Sequence, residues 1–341
     1  MVVVMKAGAT KEDVDRVVQK VKEAGGDAHI VVGEFKTIVG LVGDTERFME
    51  LPLTSLPGVE SVVRIGKPYK LVSRSAHPTL TDVKVGPASV SRRTFSLIAG
   101  PCAVESLEQS MAAAMASKAA GATILRGGAY KPRTSPYTFQ GLGIEGLEIL
   151  AECRKETGLP ILTEVVDARD VEIVAQWADA LQIGTRNMQN FQLLAEVGKT
   201  GKPVMLKRGF AATIEEWLMA AEYIAREGNL DIILCERGIR TFEPWTRNTL
   251  DLAGMVVAQN ESHLPVVVDP SHATGKRSLV EPMARAALAA GADGVMVDVH
   301  HHPDEALVDG AQALEPNDLT RLGAELAALS HAVGRPFASE I

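Results

Sequence analysis

The stretch VDVHHHPDEALVDG, Val297 to Gly310, sets three consecutive histidines among acids. Elsewhere, Cys102 directly follows Gly100-Pro101, and His272 lies in DPSHATG. A soft thiolate, imidazoles and carboxylates together suit a divalent transition metal such as Mn2+, Fe2+, Co2+ or Zn2+. The metal-capable group is Cys102, His272, Asp298 and Asp309, with His300, His301 and His302 nearby. Side chains alternate faces along a strand, so Asp298 and His300 point the same way, while His301 and His302 read as a solvated turn. Cys153, inside a helical segment, and Cys235, within an apolar run, read as small buried hydrophobes.

A second set of side chains is cationic: Arg126, Lys131, Arg133, Arg186, Lys207, Arg208, Arg237 and Arg240. The planar guanidinium fork pairs bidentately with phosphate or carboxylate, so this set predicts a multiply anionic substrate. Arg208 and Arg240 are the two most readily read as ordinary surface charges or salt-bridge partners.

These residues follow short apolar runs. From Arg93 onward eight such runs alternate with amphipathic segments: FSLIAG, ATILRG, LPILTE, ALQIG, PVMLKR, IILCER, LPVVVD and GVMVDV. Capping-box signals open two of the segments, Ser106 with Gln109 and Thr213 with Glu216. Eight strand–helix units over residues 93–341 predict a (β/α)8 TIM barrel, whose strands deliver functional side chains at their C-terminal ends. No GxGxxG or GxxxxGK follows any run, which argues against a doubly wound nucleotide-binding sheet.

Residues 1–66 read as a separate small domain. MVVVM is a strand, and TKEDVDRVVQKVKEAGG a helix capped by Thr10 with Val14, Val17, Val18 and Val21 on one face. AHIVV, TIVGLVG, a short helix in DTERFMELPL and a last strand VESVVRI complete a βαββαβ, ferredoxin-like order. Residues 67–92 contain three prolines and no helical period, and read as an extended linker.

Hydrophobic content of 46% and charged content of 23% are ordinary for a soluble enzyme. The net charge of −8 with no basic run argues against a nucleic-acid or anionic-membrane partner. No apolar run reaches membrane-span length, no signal-peptide pattern opens the chain, and three scattered cysteines form no disulfide framework, so a cytoplasmic setting is expected.

IAGPCAVES, RGGAYKPRTSPYTFQGLG, IGTRNMQNF, LKRG, CERGIRTFE and DPSHATG resemble, in order and along essentially the whole chain, the motifs of the 3-deoxy-D-arabino-heptulosonate 7-phosphate (DAHP) synthases, β subclass. The resemblance implies condensation of phosphoenolpyruvate with erythrose 4-phosphate and release of phosphate, the entry step of the shikimate pathway. It implies that Arg126, Lys131, Arg186, Lys207 and Arg237 hold phosphoenolpyruvate, and that Arg133, Thr134 and Ser135 hold the aldose phosphate. Glu164 is implied near the reacting carbons. Lys131, a lysine among other cations, is the candidate for proton transfer, and strand alternation places His300 beside the site, against the substrate or the residues that hold it. Cys102, His272, Asp298 and Asp309 are the implied metal ligands. The family further implies a homotetramer and an N-terminal domain that binds an aromatic effector, Phe or Tyr.

Two departures stand out. Asp298 occupies the position where the family has Glu, and Val308 the position where it usually has Ser. Asp is one methylene shorter, so weaker metal binding is expected while dependence on a divalent metal is retained. The alternatives are the sister 3-deoxy-octulosonate 8-phosphate synthase, which takes arabinose 5-phosphate, and a non-catalytic regulatory barrel. The KPRTS form at Lys131–Ser135 favours the four-carbon aldose, and the full cationic set argues against a decayed site.

Overall fold

The structure is a computed structural model and describes residues 1–33, 35–64 and 66–340. Two units divide at Pro68. In the first, β1 (Val2–Met5), β2 (Asp27–Val32), β3 (Thr37–Val42) and β4 (Val59–Val63) form an antiparallel sheet of order β2-β3-β1-β4. The helices are α1 (Lys11–Glu23) and α2 (Thr45–Met49), giving the expected ferredoxin-like βαββαβ order. Thr10 caps α1 reciprocally with Asp13, and Val14, Val17 and Val21 bury against Val3, Met5 and Phe48. Gly26 is dictated by packing: an added Cβ would lie 2.1 Å from the Phe48 ring. The last strand ends at Val63, and the Ile65 included in its sequence reading lies outside the described residues.

The second unit is a closed parallel barrel of β7 (Ser96–Gly100), β8 (Ile124–Arg126), β9 (Ile161–Glu164), β10 (Ala180–Ile183), β11 (Val204–Lys207), β12 (Ile232–Glu236), β13 (Val266–Val268) and β14 (Gly294–Asp298). All eight runs predicted from sequence are these strands. Helices α3 (Leu107–Ala119), α4 (Ile144–Thr157), α5 (Val171–Trp177), α6 (Phe191–Lys199), α7 (Ile214–Arg226), α8 (Leu252–Glu261), α10 (Arg277–Ala289) and α11 (Pro316–Ala332) surround them, and a short α9 (Pro270–Thr274) follows β13. The Thr213–Glu216 capping box forms in full. At α3 only half of it forms: Ser106 accepts from the Gln109 N–H, while the Gln109 amide turns to the Glu105 N–H and the Ala103 carbonyl.

The segment after Pro68 differs from the linker expectation. Glu222 of α7 accepts the backbone N–H groups of Lys70, Leu71 and Val72 at 2.8–3.1 Å. Two further strands, β5 (Val83–Val85) and β6 (Ala88–Val90), form a hairpin that buries Val83, Val85 and Val90 against Ile98, Ile124, Leu162, Met205, Ile233 and Met296 of the barrel interior. A barrel open at its N-terminal end would wet those side chains, and burying three valines there removes that cost. Pro78 and Pro87 hid a hairpin that has only three residues per strand.

Candidate active site

Alternation along each strand carries side chains from the filled interior into the rim. On β12, Ile233 and Cys235 point inward, so Arg237 follows them inward at the exit. By the same count Met205 leads to Lys207, Ile124 to Arg126, Leu162 to Glu164, Ala180 to Gln182, Val267 to Asp269 and Met296 to Asp298. Arg208, one residue out of phase, turns away and pairs with Glu236 at 2.9 Å and Asp251 at 2.8 Å, the structural role the sequence suggested.

The exits surround a cavity of about 270 Å3. Seven cations line it: Arg126, Lys131, Arg133, Arg186, Lys207, Arg237 and Arg247. Thr134, Ser135, Thr138, Glu164, Gln182 and Gly184 complete much of its wall, and His272 and Asp309 form one side. Six of the seven cations were singled out in the sequence. Arg247 was not, because it lies in an irregular loop ten residues beyond β12's exit with no periodic signal. Arg240 does not line the cavity; it lies with Arg186 and Arg237 around the Phe210 ring, at 5.1, 5.5 and 4.9 Å from its centroid.

Several cations are buried with few partners. Among the described residues, the Arg237 side chain donates only one long bond, to Gly238 O at 3.4 Å, and its Nε has none. Burial pulls the Arg237 guanidinium below its usual value, only partly offset by Asp269. Buried charge of this kind favours an anionic ligand. Lys207 Nζ is held by Asp269 Oδ2 at 2.6 Å, Lys131 Nζ donates to Cys102 O at 2.8 Å, and Arg186 donates to the Thr134 hydroxyl at 3.2 Å.

Glu164 is buried among these groups. Its Oε2 accepts from Gln182 at 3.2 Å, while Oε1 has no partner among the described residues.

Ligand atoms of Cys102, His272, Asp298 and Asp309 lie within 4.8 Å of one another. Cys102 Sγ lies 3.7 Å from His272 Nε2 and 3.3 Å from Asp309 Oδ2. His272 Nδ1 is 2.8 Å from Asp269 Oδ2, at an angle that makes no full hydrogen bond. That carboxylate favours the proton on Nδ1 and the lone pair on Nε2. Burial favours the neutral imidazole of His272 against the pull of Asp269 and Asp298. Burial, with Asp298 next, pushes the Cys102 thiol up to about 12. Asp309, despite burial, is held well below the usual carboxylate range by His272, Arg247 and Lys131. A neutral imidazole, an adjacent thiol and an ionised carboxylate fit a divalent transition ion, since such an ion displaces the thiol proton on binding.

His300 departs from expectation. It does not line the cavity: Nε2 faces Glu105 Oε2 at 3.4 Å, and Nδ1 accepts the His302 N–H at 3.0 Å. It shares Asp298's side of the chain but lies beyond the strand end, where the backbone turns to bond Leu314. His301 is half-buried and His302 exposed in the turn before the short Pro303–Glu305 helix.

Comparison with known proteins follows the same division of the chain. Residues 85–334 match the model of the DAHP synthetase I family, and residues 1–67 that of the DAHP synthase ferredoxin-like domain. The chain is 50% identical over 334 residues to a phospho-2-dehydro-3-deoxyheptonate aldolase of Thermotoga maritima, covering 98% of this chain and 99% of the relative. A solved structure of a DAHP synthase from that organism superimposes with a TM-score of 0.92 at 48% identity, over 98% of each chain. A 2-dehydro-3-deoxyphosphooctonate aldolase of Syntrophobacter fumaroxidans is 32% identical over 253 residues, 69% of this chain and 87% of that protein.

Proposed function

The chain belongs to the DAHP synthetase I family, and on that premise we propose that it condenses phosphoenolpyruvate with erythrose 4-phosphate to give DAHP and inorganic phosphate. The observation that carries this reading is the convergence of seven cations on one cavity beside a group able to hold a metal, in a protein of net charge −8. Two phosphates and a carboxylate need such a density of donors.

Arg126, Lys131, Arg186, Lys207 and Arg237 bind the phosphate and carboxylate of phosphoenolpyruvate. Arg133, Thr134 and Ser135 bind the aldose phosphate. Fixing both anions sets C3 of the enol beside the aldehyde carbon and removes the entropy of bringing two substrates together. Cys102, His272 and Asp309 would hold a divalent ion (Mn2+, Fe2+, Co2+ or Zn2+), and Asp298 is the fourth member of their group. When bound, that ion supplies Lewis-acid polarisation of the aldehyde oxygen. Lys131 Nζ, 3.4 Å from Cys102 Sγ, carries the proton to the oxygen formed when C3 attacks. Glu164 Oε1, without a protein partner, accepts a proton from the water that adds at C2. Loss of phosphate from that carbon then leaves the ketose.

The sister octulosonate synthases are the second reading. The 50% identity to the heptonate aldolase against 32% to an octonate aldolase, together with the ferredoxin-like domain match, supports the four-carbon aldose. The match to that domain supports regulation, and from the family resemblance we propose feedback by an aromatic amino acid, Phe or Tyr, in a homotetramer. The test is phosphate release from phosphoenolpyruvate, with erythrose 4-phosphate or arabinose 5-phosphate, before and after chelation. Release only with the four-carbon aldose, lost on chelation and restored by a divalent ion, is expected. Faster release with arabinose 5-phosphate would move the chain to the sister reaction.

A further inference from the structure

Within the metal-capable group, Asp298 is the member whose two oxygens both bond to side chains outside the group. Oδ1 accepts from Arg126 Nη1 at 2.8 Å, and Oδ2 from Gln312 Nε2 at 2.6 Å. The Arg126 and Asp298 side chains are only 3% and 1% exposed, so this is a desolvated pair. The nearest His272 nitrogen to Asp298 is Nδ1, at 3.5 Å, on the Asp269 side of the ring. Cys102 and Asp309 instead flank Nε2, at 3.7 and 3.6 Å. Gln312 separates the two acids: its Oε1 accepts from Arg247, which also holds Asp309 Oδ1, both at 3.0 Å.

We propose that Asp298 is a positioning residue for Arg126, and that Cys102, His272 and Asp309 are the only protein ligands of the ion. The inference rests on the proposed function in that a divalent ion binds here and Arg126 holds phosphoenolpyruvate. A metal–oxygen bond is about 2.0–2.2 Å. The short aspartate side chain has little reach with which to approach an ion while keeping its bond to Arg126. Letting go of Arg126 would leave a guanidinium buried without its counter-charge, the costlier arrangement. Asp298 therefore fixes the guanidinium that receives the substrate anion, and solvent or substrate completes the ion's sphere.

The test is titration of the full-length, metal-free protein with Co2+, read by its visible d–d and thiolate charge-transfer bands, in the parent and in Asp298→Asn, Asp298→Glu and Asp309→Asn. Asp298→Asn should keep the parent's band positions and lose less than about tenfold in Co2+ affinity, whereas Asp309→Asn loses more and shifts the bands. In turnover, Asp298→Asn should raise KM for phosphoenolpyruvate about tenfold with a smaller change in kcat. Shifted bands, a tenfold or greater loss of Co2+ affinity, or an unchanged KM would overturn the proposal. Should Asp298→Asn fail to fold, Asp298→Glu decides. Its extra methylene brings a carboxylate to the ion and shifts the bands, and unchanged bands reject the idea. Failure of the proposed reaction shows separately, as a parent protein that releases no phosphate from the two substrates.

Discussion

Gly184 leaves the space that Glu164 fills: a Cβ added at Gly184 would lie 2.0 Å from Glu164 Oε1. The glycine has an ordinary backbone conformation, φ −70° and ψ 159°, which alanine adopts freely. Gly184→Ala therefore tests side-chain placement with little backbone strain. We predict a folded protein with an unchanged circular dichroism spectrum and kcat lowered about 100-fold, since displacement of about 1 Å has that effect in a preorganised site. Near-parent turnover would show that Glu164 is not needed where it lies.

Lys207 and Asp269 form a buried pair at 2.6 Å, with side chains 5% and 0% exposed. Asp269→Ala would strand the lysine and remove the acid behind His272. We expect a loss of about 3–5 kcal/mol, measured as a lower denaturant midpoint, together with weaker ion binding. Burial would raise the Asp269 carboxyl, but His272 and Lys207 hold it well below its ordinary 3.8. With the folded value depressed, its contribution is complete above about pH 4 and is lost as pH falls below it.

His263 ties the segment after Pro68 to the barrel. Its Nε2 meets Leu71 O at 2.8 Å, its Nδ1 meets the Thr81 hydroxyl at 2.7 Å, and its ring lies 4.2 Å from that of His77. Burial chiefly lowers its pKa from 6.5, and the nearby His77 and Arg74 act the same way against Leu71 and Glu222. The unfolded segment thus binds a proton that the folded one rejects, so stability is full above about pH 6.5 and falls below it. Protection of the amides of residues 70–82 against hydrogen exchange, taken relative to the intrinsic rate at each pH, should fall between pH 7.5 and pH 5.5 more than that of the barrel strands. An equal fall everywhere would count against this latch.

On the proposed ligand set, Cys102, His272 and Asp309 would contribute jointly to ion binding. Cys102→Ser replaces a soft thiolate by a poor ligand, and turnover with Zn2+ or Co2+ should fall by at least about 100-fold. Cys235→Ser, in the barrel interior below Arg237, should leave ion affinity unchanged, because Cys235 is packed among apolar side chains. Equal effects of the two substitutions on ion affinity, measured by equilibrium dialysis, would contradict the assignment.

Much of this protein is written locally. Eight apolar runs, each five or six residues long and six of them carrying a charge at or next to their end, specify strands and a rim, because a period of two carries an inward Ile233 and Cys235 on to an inward Arg237. The same periodicity separates Lys207 from Arg208. What local pattern does not carry is the partner of each rim charge, since partners lie on other strands. Asp298 stands 172 residues from Arg126 and 26 from His272, and only closure of the barrel decides that its carboxylate faces both the guanidinium and Nδ1. His300 turns away to Glu105 because the strand has ended, a point that side-chain alternation does not mark. The three-residue strands of β5 and β6, and the loop that delivers Arg247, acquire their places from burial and ion pairing against distant elements. Periodicity thus sets which side chains reach the rim, and long-range packing sets which of them meet.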